Sequence, residues 1–186
     1  MALILTGESA GRHQTPAGHP ERVARYEAVT AAIQKSGLSV EDAPAASRDA
    51  LALVHSTRYL DMIFDMLDGH DFADGRLVQL DGDTYAGPDS LEAALRGAGA
   101  ALLGVDKVMS GRERAVFSAM RPPGHHAEPE RAMGFCLFSN AAIAACHAMK
   151  KWDAKRVGVL DFDVHHGNGT QAAFWHEPDL FYASSH

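Results

Sequence analysis

Arg156-Val157-Gly158-Val159-Leu160-Asp161-Phe162-Asp163-Val164-His165-His166-Gly167-Asn168-Gly169 is the stretch that decides how the chain is read. It begins as an apolar run of the kind that makes a strand buried on both faces of a parallel sheet. It ends in a cluster of carboxylates, imidazoles and glycines. Side chains two apart on a strand share a face, so Asp161, Asp163 and His165 are expected to point one way and Phe162 and Val164 the other. A carboxylate and an imidazole aimed together from the end of a buried strand are costly unless something compensates them. A divalent metal is the simplest compensation, and mixed oxygen and nitrogen donors suit zinc in a catalytic setting. The alternative is a polar cluster above the sheet in which these groups satisfy one another.

Outward from this strand, helical and apolar segments alternate. Residues 3–6 read as a first strand, followed by a loop over 7–18. His19-Pro20-Glu21-Arg22 is expected to open a helix, with proline at the first helical position and glutamate at the positive end of the dipole. Its apolar stripe runs to Lys35, and Ser36-Gly37 stops it. His19 reads as a cap or loop residue, since nothing near it in the sequence completes a site. Residues 43–47 read as a linker. Ser47 and Ser56 are expected to cap two short helices. Residues 68–88 are polar and glycine-rich, with Asp68, Asp71, Asp74, Asp81 and Asp83, and read as a solvated loop. A long helix over 88–110 carries Gly97, Gly99 and Gly104, a tolerance that close packing against the sheet would explain. A short strand over 115–119, a helix opened by Ser139 or Asn140, a short helix over 170–175 and a last strand over 180–184 complete the pattern. Such alternation argues an α/β layered fold with a mainly parallel sheet in a single domain, residues 1–186.

Composition narrows the function classes. The 186 residues are long enough for a substantial core, and the 46% hydrophobic and 22% charged residues are those of an ordinary globular protein. A net charge of -7 argues against a general nucleic-acid binder and mildly favours cationic substrates. The two cysteines, Cys136 and Cys146, lack metal-knuckle spacing and fit a reducing compartment. The first residues turn polar too soon for a signal peptide, and no apolar run approaches the ~20 residues of a membrane span. No membrane and a cytoplasmic location are the expectations.

Two polar clusters follow predicted strands: His125-His126, and Asp163 with His165. Strand ends at one edge of a parallel sheet gather around the ligand crevice, so these clusters are expected to face each other. Tandem histidines in a stiff loop opposite a carboxylate–imidazole pair point to acid–base chemistry.

Arg121-Pro122-Pro123-Gly124-His125-His126, Gly134-Phe135-Cys136, Asn140 and the stretch from Asp161 to Gly169 together resemble the zinc-dependent histone deacetylase and acetylpolyamine amidohydrolase family. His19-Pro20-Glu21-Arg22 and Asn168 are similar to its class II and bacterial branch. The resemblance implies an arginase-deacetylase-like fold and hydrolysis of an acetyl amide on an extended amine, either acetyl-lysine or an acetylpolyamine. It implies Asp163 and His165 as zinc ligands and His126 as general base. His125 would act as electrostatic element or proton donor, with Asp161 hydrogen-bonded to it and Asn168 in the corresponding place beside His126. Gly134 and Phe135 would line the channel for the substrate chain, and Asp83 would be a rim carboxylate. It also implies a potassium site from main-chain oxygens of Asp161, Asp163 and His165 with Ser184 and Ser185. A second monovalent site near Phe174, Glu177 and Leu180 would go with it.

Where the pattern departs, the resemblance implies a further aspartate ligand and an oxyanion-stabilising tyrosine downstream of His186. Catalytic zinc normally takes three protein ligands, and here two can be named. The chain is therefore expected to be the N-terminal part of such a fold, incomplete at the C-terminus. It should bind zinc weakly, have little activity alone, and be completed by a second copy or another chain. Two other readings compete: a non-catalytic binding or assembly module on the same fold, and an arginase-like manganese hydrolase.

Overall fold

The computed structural model describes residues 2–73 and 75–186; Asp74, one of the acidic loop carboxylates, lies outside them. Strand β1 (Ala2–Thr6) is central in a parallel three-stranded sheet, between β2 (Val40–Asp42) and β5 (Ala115–Ser118). Its Leu3, Ile4 and Leu5 are buried, as an apolar run in a covered strand should be. Strands β3 (Val78–Asp81) and β4 (Thr84–Ala86) form an antiparallel hairpin. Strands β6 (Val157–Asp161) and β7 (Leu180–Ser184) pair in parallel, with Asp161 opposite Ser184. The sheets are separate among the described residues.

The helices in chain order are α1 (Ser9–Arg12), α2 (Val23–Ser36), α3 (Arg48–Leu51), α4 (Thr57–Leu67), α5 (Ser90–Met109), α6 (Asn140–Trp152) and α7 (Asn168–Phe174). Ser47 Oγ accepts from the Ala50 N–H and Ser56 Oγ from the Tyr59 N–H, the expected caps, each contributing about 1 kcal/mol. Helix α5 packs on β1 and β5, α6 packs beneath β6, and the two helices meet. The main core gathers Leu51, Tyr59, Leu60 and Ile63 with Ala94, Ala98, Leu137, Phe138 and Ile143. A second cluster seats Phe174 and Leu180 on Ala142 and Ala145 of α6, under Val157 and Val159. The layered α/β architecture with parallel pairing stands as expected.

Several local expectations are corrected. Helix α2 begins at Val23 with an extended Arg22 before it, so His19-Pro20-Glu21 is a loop and Glu21 does not serve the helix dipole. The 68–88 segment is not only loop, since it holds the β3–β4 hairpin, and β2 lies where no strand is expected. The helix glycines answer to different neighbours: a Cβ at Gly99 would run into the Pro44 carbonyl, one at Gly97 would press on Asn140, and only one at Gly104 would meet the sheet, at Val116.

The largest correction concerns the strand that opened the reading. Strand β6 is covered by α6 on one face only, and Leu160 (74%) and Phe162 (91%) are exposed. Between β5 and β6 lies an open, mostly apolar cleft of about 530 Å3, lined by Gly104, Val108, Val116, Ala148, Val157 and Gly158.

Candidate active site

Strand β6 ends at Asp161, yet the two-residue period continues by another device. Asp161 Oδ1 accepts from the Asp163 N–H at 3.1 Å, and Asp163 Oδ1 accepts from the His165 N–H at 2.8 Å. These are successive Asx turns, the local structure that aspartate offers when a strand stops. They keep the polar side chains together while Phe162 and Val164 are exposed.

The tandem histidines sit on a loop anchored at both ends. Below it, the buried Arg121 donates through Nη2 to Glu21 Oε2 at 2.6 Å and through Nη1 to the Ala10 carbonyl at 2.6 Å. The Glu21 carboxylate also meets His13 Nε2 at 3.4 Å, and His13 Nδ1 lies 2.7 Å from Ser90 Oγ. Burial pushes the Glu21 carboxyl up, but His13 and Arg121 outweigh it and bring it down to about 2. Above, the first amides of α7 hold the loop: the Gly169 and Thr170 N–H groups both donate to the His125 carbonyl, at 2.9 and 3.1 Å.

The two imidazoles are backed differently. His125 Nδ1 lies 2.8 Å from Asp161 Oδ2, and Tyr182 donates its hydroxyl to the same oxygen at 3.1 Å. Burial raises the Asp161 carboxyl, but these bonds and the Asp163 N–H hold it below the usual carboxylate range. His126 Nδ1 lies 2.7 Å from Asn168 Oδ1, an amide oxygen. Two glycines permit the convergence. A Cβ at Gly167 would run into Asp161 and the Tyr182 hydroxyl; one at Gly134, whose φ is 57°, would run into the His126 ring.

The clusters expected to face each other do so. His125 Nε2 stands 3.9 Å from Asp163 Oδ1, and the His126 and His165 ring centroids are 6.0 Å apart. Asp163 Oδ1 and His165 Nδ1 are 3.1 Å apart, close to the roughly 3.3 Å edge of a zinc tetrahedron with ligands at about 2.05 Å. Burial raises the Asp163 carboxyl, and the bonds from His165 more than reverse it, so the carboxylate needed for ligation is favoured. These two donors fit a zinc ion. Among the described residues no group of three His, Cys, Asp or Glu side chains is placed to hold one. Asp161, Ser184 and Ser185 are neighbours across the β6–β7 pair, where the Asp161 carbonyl accepts from the Ser185 N–H at 2.9 Å. Ser184 Oγ lies 3.0 Å from His186 Nδ1.

At the rim, the Phe135 ring packs edge-on against His19 at 4.6 Å, and the Phe135 N–H donates to Thr84 Oγ at 2.9 Å. His19 is a loop residue: its Nδ1 lies 3.0 Å from the Glu21 carbonyl oxygen and 3.2 Å from the Glu21 nitrogen, and its Nε2 lies 3.0 Å from the Asp83 carbonyl oxygen. Asp83 and Phe135 thus share His19 as a neighbour, while Gly134 lies against the His126 ring. Sequence reasoning missed Tyr182, Glu21 and Glu128 as parts of this site. Only the direct adjacency of Glu128 to the histidine loop was a usable signal.

On this layered fold, carboxylate- and amide-backed histidines face an Asp–His pair. The model of the histone deacetylase domain matches residues 19–186, and the chain belongs to that family. The crystal structure of the HDA15 HD domain superposes with a TM-score of 0.88 at 33% identity, over 99% of this chain and 54% of that one. The histone deacetylase-like amidohydrolase of Pseudomonas aeruginosa is 39% identical over 98% of this chain and 48% of its own length. The polyamine deacetylase HDAC10 of Rattus norvegicus is 40% identical over 76% of this chain and 24% of its own. The chain spans about half the length of the first curated relatives it matches. No helix among the described residues is long and apolar enough to cross a membrane.

Proposed function

We propose that this chain carries the histidine machinery of a zinc-dependent deacetylase that releases acetate from acetylated lysine or polyamine amines. The observation that carries the reading is the convergence of both histidines on the Asp163–His165 pair, with His125 Nε2 3.9 Å from Asp163 Oδ1. Asp163 and His165 would hold the zinc, which when bound polarises the acetyl carbonyl and makes water more acidic. His126, with Nδ1 turned to Asn168, has Nε2 free to accept the proton of the attacking water. His125, fixed by Asp161, stands beside the developing negative charge and can pass a proton to the leaving amine. The water oxygen bonds to the acetyl carbon, the C–N bond breaks, and acetate and a free amine leave. Asp83 and Phe135 at the rim would meet the substrate chain. Asp161, Ser184 and Ser185 would frame a potassium ion beneath the site.

The test is a fluorogenic acetyl-lysine assay, with an acetylpolyamine in parallel, on a protein of full domain length carrying these residues. Zinc-dependent turnover of either supports the reading; none with either substrate overturns it. With only two donors, the 186-residue chain is expected to bind zinc weakly, and tight stoichiometric binding in calorimetry would refute that. The exposed Leu160, Phe162 and Phe181 favour a second reading, in which the fold works in assembly with a second copy or a completing chain. Light scattering on the eluting chain decides it: a strict monomer at micromolar concentration removes self-assembly.

A further inference from the structure

Glu128 stands behind the amide-backed histidine, and none of the roles above uses it. Its Oε1 accepts from Asn168 Nδ2 at 2.8 Å, while Asn168 Oδ1 faces His126 Nδ1 at 2.7 Å. Its backbone is held by a two-way bridge with Arg131, at 3.0 and 3.3 Å. A side-chain amide has two unlike ends, a carbonyl that only accepts and an NH2 that only donates. A carboxylate at neutral pH only accepts, so it selects the NH2 end and turns the carbonyl towards the ring. A carbonyl can meet Nδ1 only when that nitrogen carries the proton, which leaves the lone pair on Nε2. Reversing the amide would set its oxygen against Glu128 and its NH2 against a protonated Nδ1, losing both bonds. The other acceptors of Asn168 Nδ2 are weak: the His126 carbonyl at 3.5 Å and Met133 Sδ at 3.4 Å.

We propose that Glu128 is a positioning residue that acts through Asn168 to hold His126 in its Nδ1–H tautomer. The tautomer rests on this geometry alone; its use, an Nε2 always ready to take a proton, rests on the deacetylase reading above. Amide-backed histidine then has a carboxylate after all, one residue removed, where it sets orientation without placing negative charge against the ring.

The test reads tautomers, not turnover, so its failure is distinct from failure of the deacetylase reading. Long-range 1H–15N spectra of the 15N-labelled, metal-free 186-residue chain at about pH 8, above the ordinary histidine range, assign the proton on each ring. The expected result is His126 predominantly protonated on Nδ1. Glu128→Ala and Glu128→Gln should each lower the ratio of the two tautomers by about tenfold, the loss expected for one charge-assisted hydrogen bond. Glutamine keeps the shape but offers either end to Asn168, so it serves if the alanine variant does not fold. Backbone amide shifts away from residues 124–134 and 167–170 should not move. A wild-type ring protonated on Nε2, or an unchanged ratio in a folded Glu128→Gln chain, overturns the proposal.

Discussion

The two histidine pairs are neighbours in space and unlike in chemistry. His125 leans on Asp161, a carboxylate whose oxygens also take the Tyr182 hydroxyl and the Asp163 N–H. His126 leans on Asn168, a neutral amide steered from behind by Glu128. A carboxylate stabilises the imidazolium form of the ring it touches; an amide aligns the ring without favouring its charge. One ring is therefore held by a charged oxygen and the other by a neutral one. What differs between them is the single atom that faces each Nδ1.

The largest effect should come from removing the rings themselves. In a domain-length protein, His126→Ala is expected to lower kcat by roughly 10²–10⁴, the usual contribution of a general base. His125→Ala should also lower it, and an unchanged rate in the His126 variant would dissolve the division of labour. Next comes a change that strikes both pairs at once. Arg121→Ala leaves the buried Glu21 carboxylate with His13 as its remaining partner, and should destabilise the chain by about 3 kcal/mol in denaturant unfolding. A loss under 1 kcal/mol would mean the loop does not depend on that pair.

Acid should act in two windows, one at the Glu21 pair and one at His55, a buried ring whose Nε2 accepts from the Ser139 N–H at 3.0 Å. His55 is pushed by burial to about 4 from an ordinary 6.5, so the stability it contributes in neutral form is lost as pH falls from 6.5 through 4. Glu21 is brought to about 2 from 4.5, so its contribution is lost below that, as pH falls from 4.5 through 2. Each window should cost about 3 kcal/mol, read from chemical denaturation repeated at stepped pH. His55→Gln should remove the upper window and spare the lower. The smallest effect sharpens the comparison most. Asn168→Asp with Glu128→Gln gives both rings a carboxylate, and the acidic limb of the pH–rate profile should move up by about one pH unit. A limb that stays in place would mean His126 is not the base it reports.

Much of this arrangement was legible before any coordinates. The period-two spacing of Asp161, Asp163 and His165 marked the cluster, and the stiff Pro122-Pro123-Gly124 turn marked its opposite. The spacing was right for a partly wrong reason, since Asx turns rather than a continuing strand carry it past Asp161. Short-range caps at Ser47 and Ser56 were readable because they are decided within four residues. Glu21 was not readable, because its partner Arg121 lies 100 positions away and a glutamate beside a helix start looks like a dipole residue. Leu160 and Phe162 misled for a related reason: apolar pattern reports what a face could bury, not what covers it.

The Glu21–Arg121 pair has a consequence for the order in which the molecule assembles. Closing so long a span carries a large entropy before any contact repays it, and contacts of that separation form slowly. Helices α4 and α5 can organise locally, whereas the histidine turn waits for the two distant segments to meet. We therefore expect the histidine turn to be among the last parts of the chain to acquire structure during refolding. Pulsed amide exchange should show residues 124–128 gaining protection after α5, and simultaneous protection would contradict this.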